Sequence, residues 1–101
     1  MNKYRNIKTT IDGITFDSKT EAIRYVHLKT LLKAGAISDL ILQPKFKIEV
    51  NGQKICTYIA DFQYKENGKT IVEDSKGVRT PVYRLKAKLV KALHGVEIVE
   101  V

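Results

Sequence analysis

Between residues 19 and 34 the apolar positions recur at helical spacing. At about 100° per residue Glu21, Tyr25, Leu28 and Leu32 fall on one line, with Ala22 and Leu31 at its flanks. Ser18-Lys19-Thr20-Glu21 reads as a capping box, and Gly35 stops the helix just after Lys33. The period then changes to two. From residue 40 to 50, Leu42, Phe46, Ile48 and Val50 alternate with Gln43, Lys45, Lys47 and Glu49, and Pro44 suits an edge strand or a bulge. Further alternating runs cover residues 55–65, 70–76 and 96–101. Between the last two, Thr80-Pro81 opens a second helix whose stripe of Val82, Leu85, Leu89, Ala92 and Leu93 ends near His94-Gly95.

Two Asn-Gly pairs set the expected registers, because both central residues of such a hairpin turn must accept positive φ. A two-residue loop at Asn51-Gly52 pairs Glu49 with Lys54, Ile48 with Ile55, Phe46 with Thr57 and Leu42 with Asp61. Asn67-Gly68 likewise pairs Glu66 with Lys69, Lys65 with Thr70, Tyr64 with Ile71, Gln63 with Val72, Phe62 with Glu73, and Asp61 with Asp74. One face then carries Ile55, Ile59 and Asp61 toward the first helix. The other carries Cys56, Tyr58, Ala60, Phe62 and Tyr64 toward the second. A helical crossover brings the last strand back parallel to the third. The expected fold is α/β: an αβββαβ core whose mixed four-stranded sheet has a helix on each face. Residues 1–13 read as a basic arm with Lys3, Arg5 and Lys8, ending in an Asp12-Gly13 turn, and residues 14–101 as a single domain that begins with the short extended piece Ile14-Thr15-Phe16.

Composition narrows the chemistry. A chain of 101 residues, 44% hydrophobic and 29% charged, has room for one modest core. It shows no apolar run near 18 residues and no signal-peptide pattern, so a cytoplasmic protein without membrane contact is expected. Cys56 is the single cysteine, and His27 and His94 stand far apart, which leaves no zinc-ligand spacing; any metal must be held by oxygen. The net charge of +7 favours a polyanionic partner. Lys76, Arg79, Arg84, Lys86, Lys88 and Lys91 follow one another with no acid between them, and Arg84, Lys88 and Lys91 share one helix edge. Such an edge is either solvated or in contact with phosphate.

Asp61 opposite Asp74 places two carboxylates about 5 Å apart at Cβ, where like charges repel. A cation between them would relieve that. Lys76, two residues beyond Asp74, shares its face, so either a salt-bridged hairpin or a metal site follows. Mg²⁺ takes oxygen ligands and keeps waters, so Asp61 and Asp74, with the Ser75 carbonyl as a third oxygen, would suffice. Lys76 would then orient or deprotonate an attacking water and stabilise transition-state charge. Glu21 either caps its helix alone or also faces this site, holding a metal-bound water or a second ion.

The order of elements, with Glu21 on the first helix, Ala60-Asp61 on the second strand and Asp74-Ser75-Lys76 on the third, resembles the PD-(D/E)xK nuclease superfamily, which includes restriction enzymes, Holliday junction resolvases and transposon end-cleaving nucleases. More narrowly, FDSKTEA, LQPKF, YIADF and VEDSKG are similar to small phage endonuclease-like proteins, a likeness that runs from Ile14 onward. The resemblance implies a restriction-endonuclease-like fold and a Mg²⁺-dependent DNA endonuclease, with Mn²⁺ able to substitute. It makes Asp61 and Asp74 metal ligands, Lys76 the catalytic lysine, Glu21 the helix-one acid and Gln43 a residue near the site. Ala60 stands where the motif has proline, which is not a ligand. Glu73 points to the opposite sheet face from Lys76 and is expected to be structural.

A domain this small has little surface with which to read sequence. Structure-selective cutting of Holliday junctions or other branched DNA is therefore expected, by a homodimer in the cytoplasm of a phage or prophage host. Gln43, Arg79, Arg84, Lys88 and Lys91 would touch the nucleic acid. The alternative is a non-catalytic nucleic-acid-binding module on the same fold. A small-molecule enzyme lacks both a phosphate-cradling glycine loop and a nucleophile-base pair.

Overall fold

The structure is a computed structural model, and it describes residues 7–75 and 80–101. In chain order the elements are β1 (Thr9–Ile11), β2 (Ile14–Phe16), α1 (Lys19–Lys33), β3 (Ser38–Leu42), β4 (Lys45–Val50), β5 (Gln53–Ile59), β6 (Phe62–Glu66), β7 (Lys69–Asp74), α2 (Pro81–His94) and β8 (Ile98–Glu100). They fall into two compact units, residues 1–36 and 37–101.

In the first unit β1 and β2 form an antiparallel hairpin around Asp12-Gly13, with Thr9 opposite Phe16. The sequence pattern shows no strand at β1, because its three residues are too few to establish a period. Phe16 stacks at 4.9 Å on Tyr25, whose hydroxyl donates to Asp12 at 3.0 Å. In α1 the Ser18 side chain accepts the Glu21 N–H, as a capping box requires, and Glu21, Ala22, Tyr25 and Leu28 are its buried positions.

The second unit holds a four-stranded sheet in the order β3-β6-β7-β8 and a separate pair, β4-β5. The β6-β7 register is the expected one from Glu66 opposite Lys69 to Phe62 opposite Glu73, and β8 returns parallel beside β7 with Glu100 opposite Asp74. Asn67 (φ 52°) and Gly68 (φ 76°) both occupy the left-handed region that fixes this turn. A Cβ at Gly68 would meet nothing within 4 Å, so Gly68→Ala carries a conformational cost alone. It should destabilise the domain by about 1 kcal/mol, read as a lower urea midpoint at unchanged m.

Three expectations are corrected. The run at residues 40–50 is two strands: Gln43 at φ 51° and Pro44 break it, so β3 pairs with β6 while β4 pairs with β5. The β4-β5 register also shifts between Ile48 and Glu49. Glu49 meets Lys54 as expected, but Ile48 meets Cys56 and Phe46 meets Tyr58. Because side chains alternate with period two, a one-residue shift exchanges the faces of the strand. Tyr58 is buried, as expected of its face, while Ile55 and Ile59, expected to face the first helix, are left 58% and 48% exposed.

The third correction concerns α2. Its buried side chains are Tyr83 and Val90, which cluster with Phe46, Ile48, Tyr58, Ala60 and Val72. Val82, Leu85 and Leu93 of the expected stripe are exposed instead. The residues turned toward this helix are Cys56 and Tyr58 of β5 and Ala60 just beyond it, as expected for that face, and the aromatic ring of Tyr83 lies 6.2 Å from that of Tyr58.

Candidate functional site

The strand run at residues 55–65 is also interrupted, at Ala60-Asp61, where the chain leaves the β4-β5 pair and enters the four-stranded sheet. Regular pairing of β6 with β7 ends at Phe62 opposite Glu73. The Asp61 N–H donates to the Glu73 carbonyl at 3.1 Å rather than pairing squarely with Asp74. Its carboxylate reaches one residue further: the Ser75 N–H donates to Asp61 Oδ2 at 2.7 Å. Ser75 was expected to offer its carbonyl to a metal; the bond formed here uses its N–H. Gln43 also meets this corner through its backbone, its N–H donating to the Asp61 carbonyl at 2.9 Å. The positive φ of Gln43 turns the chain so that β3 can run beside β6 while Pro44 accepts the Ala60 N–H at 3.1 Å.

Asp74 ends β7 with no exposed surface, and its neighbour Glu73 is 1% exposed. Successive strand residues point to opposite faces, so these two carboxylates are served from opposite sides of the sheet. On one side the Tyr58 hydroxyl donates to Asp74 Oδ2. On the other the Tyr64 hydroxyl donates to Glu73 Oε2, Tyr64 lying two residues from the cross-strand partner of Glu73. A buried carboxylate needs such donors, since an uncompensated charge away from water is costly. Neither tyrosine was singled out from sequence as a carboxylate partner. The signal was the tyrosines in the run through residues 55–65, but the break at Ala60-Asp61 hides which acid each one reaches.

The Tyr58 hydroxyl titrates well above its ordinary value of 10.0, first because burial disfavours the phenolate and then because it donates to Asp74. The Tyr25 hydroxyl shifts in the same direction, through burial and then Asp12. With the folded-state pKa raised, this contribution to stability is complete below the unfolded value near 10 and is lost as pH rises toward the folded one. Tyr58→Phe should therefore lower stability at neutral pH by about 1.5–3 kcal/mol, the worth of a hydrogen bond to a charged group. It should also weaken the decline of the urea midpoint between about pH 9 and about pH 11. An unchanged alkaline slope would show that Tyr58 ionises freely in the folded state.

Glu21 belongs to the first unit, buried in the opening turn of α1. Arg84, Lys88 and Lys91 are exposed on α2, where Lys91 makes a solvated ion pair with Glu97 at 3.8 Å. Lys76 and Arg79 lie outside the described residues. Among the described residues no group of three or more His, Cys, Asp or Glu side chains converges as a metal cluster would. The carboxylates of Asp61 and Asp74 are of the donor type that suits a hard cation, and two can suffice when waters and a phosphate complete the shell. Asp74 nevertheless stands closed off behind Tyr58.

A mixed, mostly antiparallel sheet with a parallel last strand, reached through a helix, defines an α/β domain broadly consistent with a restriction-endonuclease-like scaffold. Over residues 1–97 the chain matches the family described as "Protein of unknown function (DUF1064)", and it belongs to that family. A search of curated proteins gives no match. Among the described residues no helix is long and apolar enough to cross a membrane.

Proposed function

We propose that this domain binds DNA through the exposed basic edge of α2, using a nuclease-like scaffold as its frame. The observation that carries this reading is α2 itself. Its sequence PVYRLKAKLVKALH contains no acid, and Arg84, Lys88 and Lys91 stand exposed at positions i, i+4 and i+7. Three cations along one helix edge match the spacing of a phosphate backbone better than that of an isolated anion, and the net charge of +7 adds long-range attraction. Branched DNA is the substrate class this reading favours, because the domain offers a backbone-contacting edge and little surface for base readout.

A second reading is favoured by the carboxylate corner. In it Asp61 and Asp74 hold Mg²⁺, for which Mn²⁺ can substitute, and Lys76 serves the same reaction, phosphodiester hydrolysis by a dimeric endonuclease. When bound, the metal would supply Lewis-acid polarisation of phosphate and a water of lowered pKa. The chain's own contribution would be to hold Asp61 in place through the Ser75 N–H and to release Asp74 from Tyr58.

One set of measurements separates the readings. Fluorescence anisotropy with duplex and four-way-junction DNA should give binding whose logarithm falls linearly with the logarithm of salt concentration. Failure to bind either DNA at low salt overturns both readings. Mg²⁺-dependent cleavage that disappears in Asp74→Ala and Lys76→Ala, with metal-dependent thermal stabilisation of the wild type, supports the nuclease. DNA binding with neither effect leaves a binding module.

A further inference from the structure

We propose that the groove between β5 and the first turns of α2 seats one nucleotide that has left the base stack, its base against Ile59 and Val82 and its phosphate on Lys86. This rests on the reading of the domain as DNA-binding and names the part of the DNA that one surface takes. The groove has a volume of about 430 Å³, within the range of small-ligand sites and large enough for a base with its sugar. Its walls are mostly apolar, and Lys86 is the one charged side chain lining it among the described residues. Such a lining suits a flat apolar group that carries a negative charge. It suits neither a cation nor an uncharged hydrophobic peptide, which would bring Lys86 no negative charge.

The groove is built on ordered parts. Tyr58 and Tyr83 form its buried floor, their rings 6.2 Å apart and inclined at 46°. Tyr83 is held in the first turn of α2 by its own N–H, which donates to the Thr80 hydroxyl at 3.1 Å. Above that floor Ile59 and Val82 leave 48% and 61% of their surface in water, and a base lying over them would remove it. The floor also connects to the carboxylate corner, because the Tyr58 hydroxyl is the donor to Asp74. At about 100° per residue, Val82 and Lys86 lie on one side of α2 and Arg84 and Lys91 on the other. The groove and the basic edge are therefore separate contacts, and substitutions can address each alone.

The test compares a duplex carrying one extrahelical 2-aminopurine nucleotide with a fully paired duplex of the same length, using the full chain. The expected result is a change in 2-aminopurine emission on binding and a preference of about tenfold for the extrahelical nucleotide. Ile59→Asn and Lys86→Met should each abolish the preference while leaving the fully paired duplex bound within about twofold. Ile59 and Lys86 are not core residues, and a thermal melt confirms that each variant folds. Equal binding of the two DNAs, or unchanged emission with the wild-type chain, overturns the inference while the DNA-binding reading stands. So does equal loss of both DNAs in folded variants, or a change in oligomeric state in place of the lost preference. Absence of binding to either DNA overturns both.

Discussion

Reversing Arg84, Lys88 and Lys91 to glutamate should weaken DNA binding by roughly a hundredfold or more near physiological salt, and it should flatten the salt dependence by about three in log-log slope. Each reversal replaces one cation by one anion, so the three together take the formal net charge from +7 to +1. The change in slope is the sharper reading. It counts the phosphates neutralised, whereas affinity also responds to the overall field. The fold should survive, because all three side chains are exposed and the one ion pair lost among the described residues, Lys91 with Glu97, is a solvated pair worth at most about 1 kcal/mol. A variant that keeps the wild-type slope would place the phosphates elsewhere on the molecule.

The largest stability effect should come from Phe62→Ala. Phe62 is 1% exposed and stands in the ladder between Leu42 on β3 and Glu73 on β7, so its removal opens a cavity where three strands meet. Truncating a buried phenylalanine costs about 3–5 kcal/mol, against a total of about 5–15 kcal/mol for a domain of this kind. Urea unfolding should show a large fall in midpoint at unchanged m. Ile55→Ala is the informative contrast. Sequence alternation places Ile55 in the core, yet it is 58% exposed, and a surface truncation should stay within about 0.5 kcal/mol. A cost for Ile55→Ala approaching that of Phe62→Ala would mean that β4 and β5 pair without the bulge.

That contrast marks where the candidate site was legible. Counting back from the Asn67-Gly68 turn gives the ladder correctly as far as Phe62 opposite Glu73; beyond it the expected pairing of Asp61 with Asp74 gives way to bonds from the Asp61 N–H to Glu73 and from the Ser75 N–H to the Asp61 carboxylate. The segregation of Glu73 from Asp74 to opposite faces follows from the same count, and Tyr64 and Tyr58 serve the two acids from opposite sides. The identity of those donors was not legible. Tyr58 reaches Asp74 only because its own strand belongs to a different pair of strands, with a shifted register.

What the sequence by itself determined is local. Ser18 caps α1, Thr80 and Pro81 open α2, two Asn-Gly turns close hairpins, and a helix between β7 and β8 makes their pairing parallel. Each depends on backbone chemistry within a few residues: a side-chain acceptor for a free N–H, a positive φ, or the span of a crossover. Only the tertiary structure decided the bulge between Ile48 and Glu49, the break at Ala60-Asp61 and the face of α2 that is buried. A one-residue shift leaves the local preferences of a strand almost unchanged while exchanging every side chain between core and water. Its energy resides in which distant residues pack together, here Tyr58 with Tyr83 and Asp74, and that is information no short stretch of the chain contains.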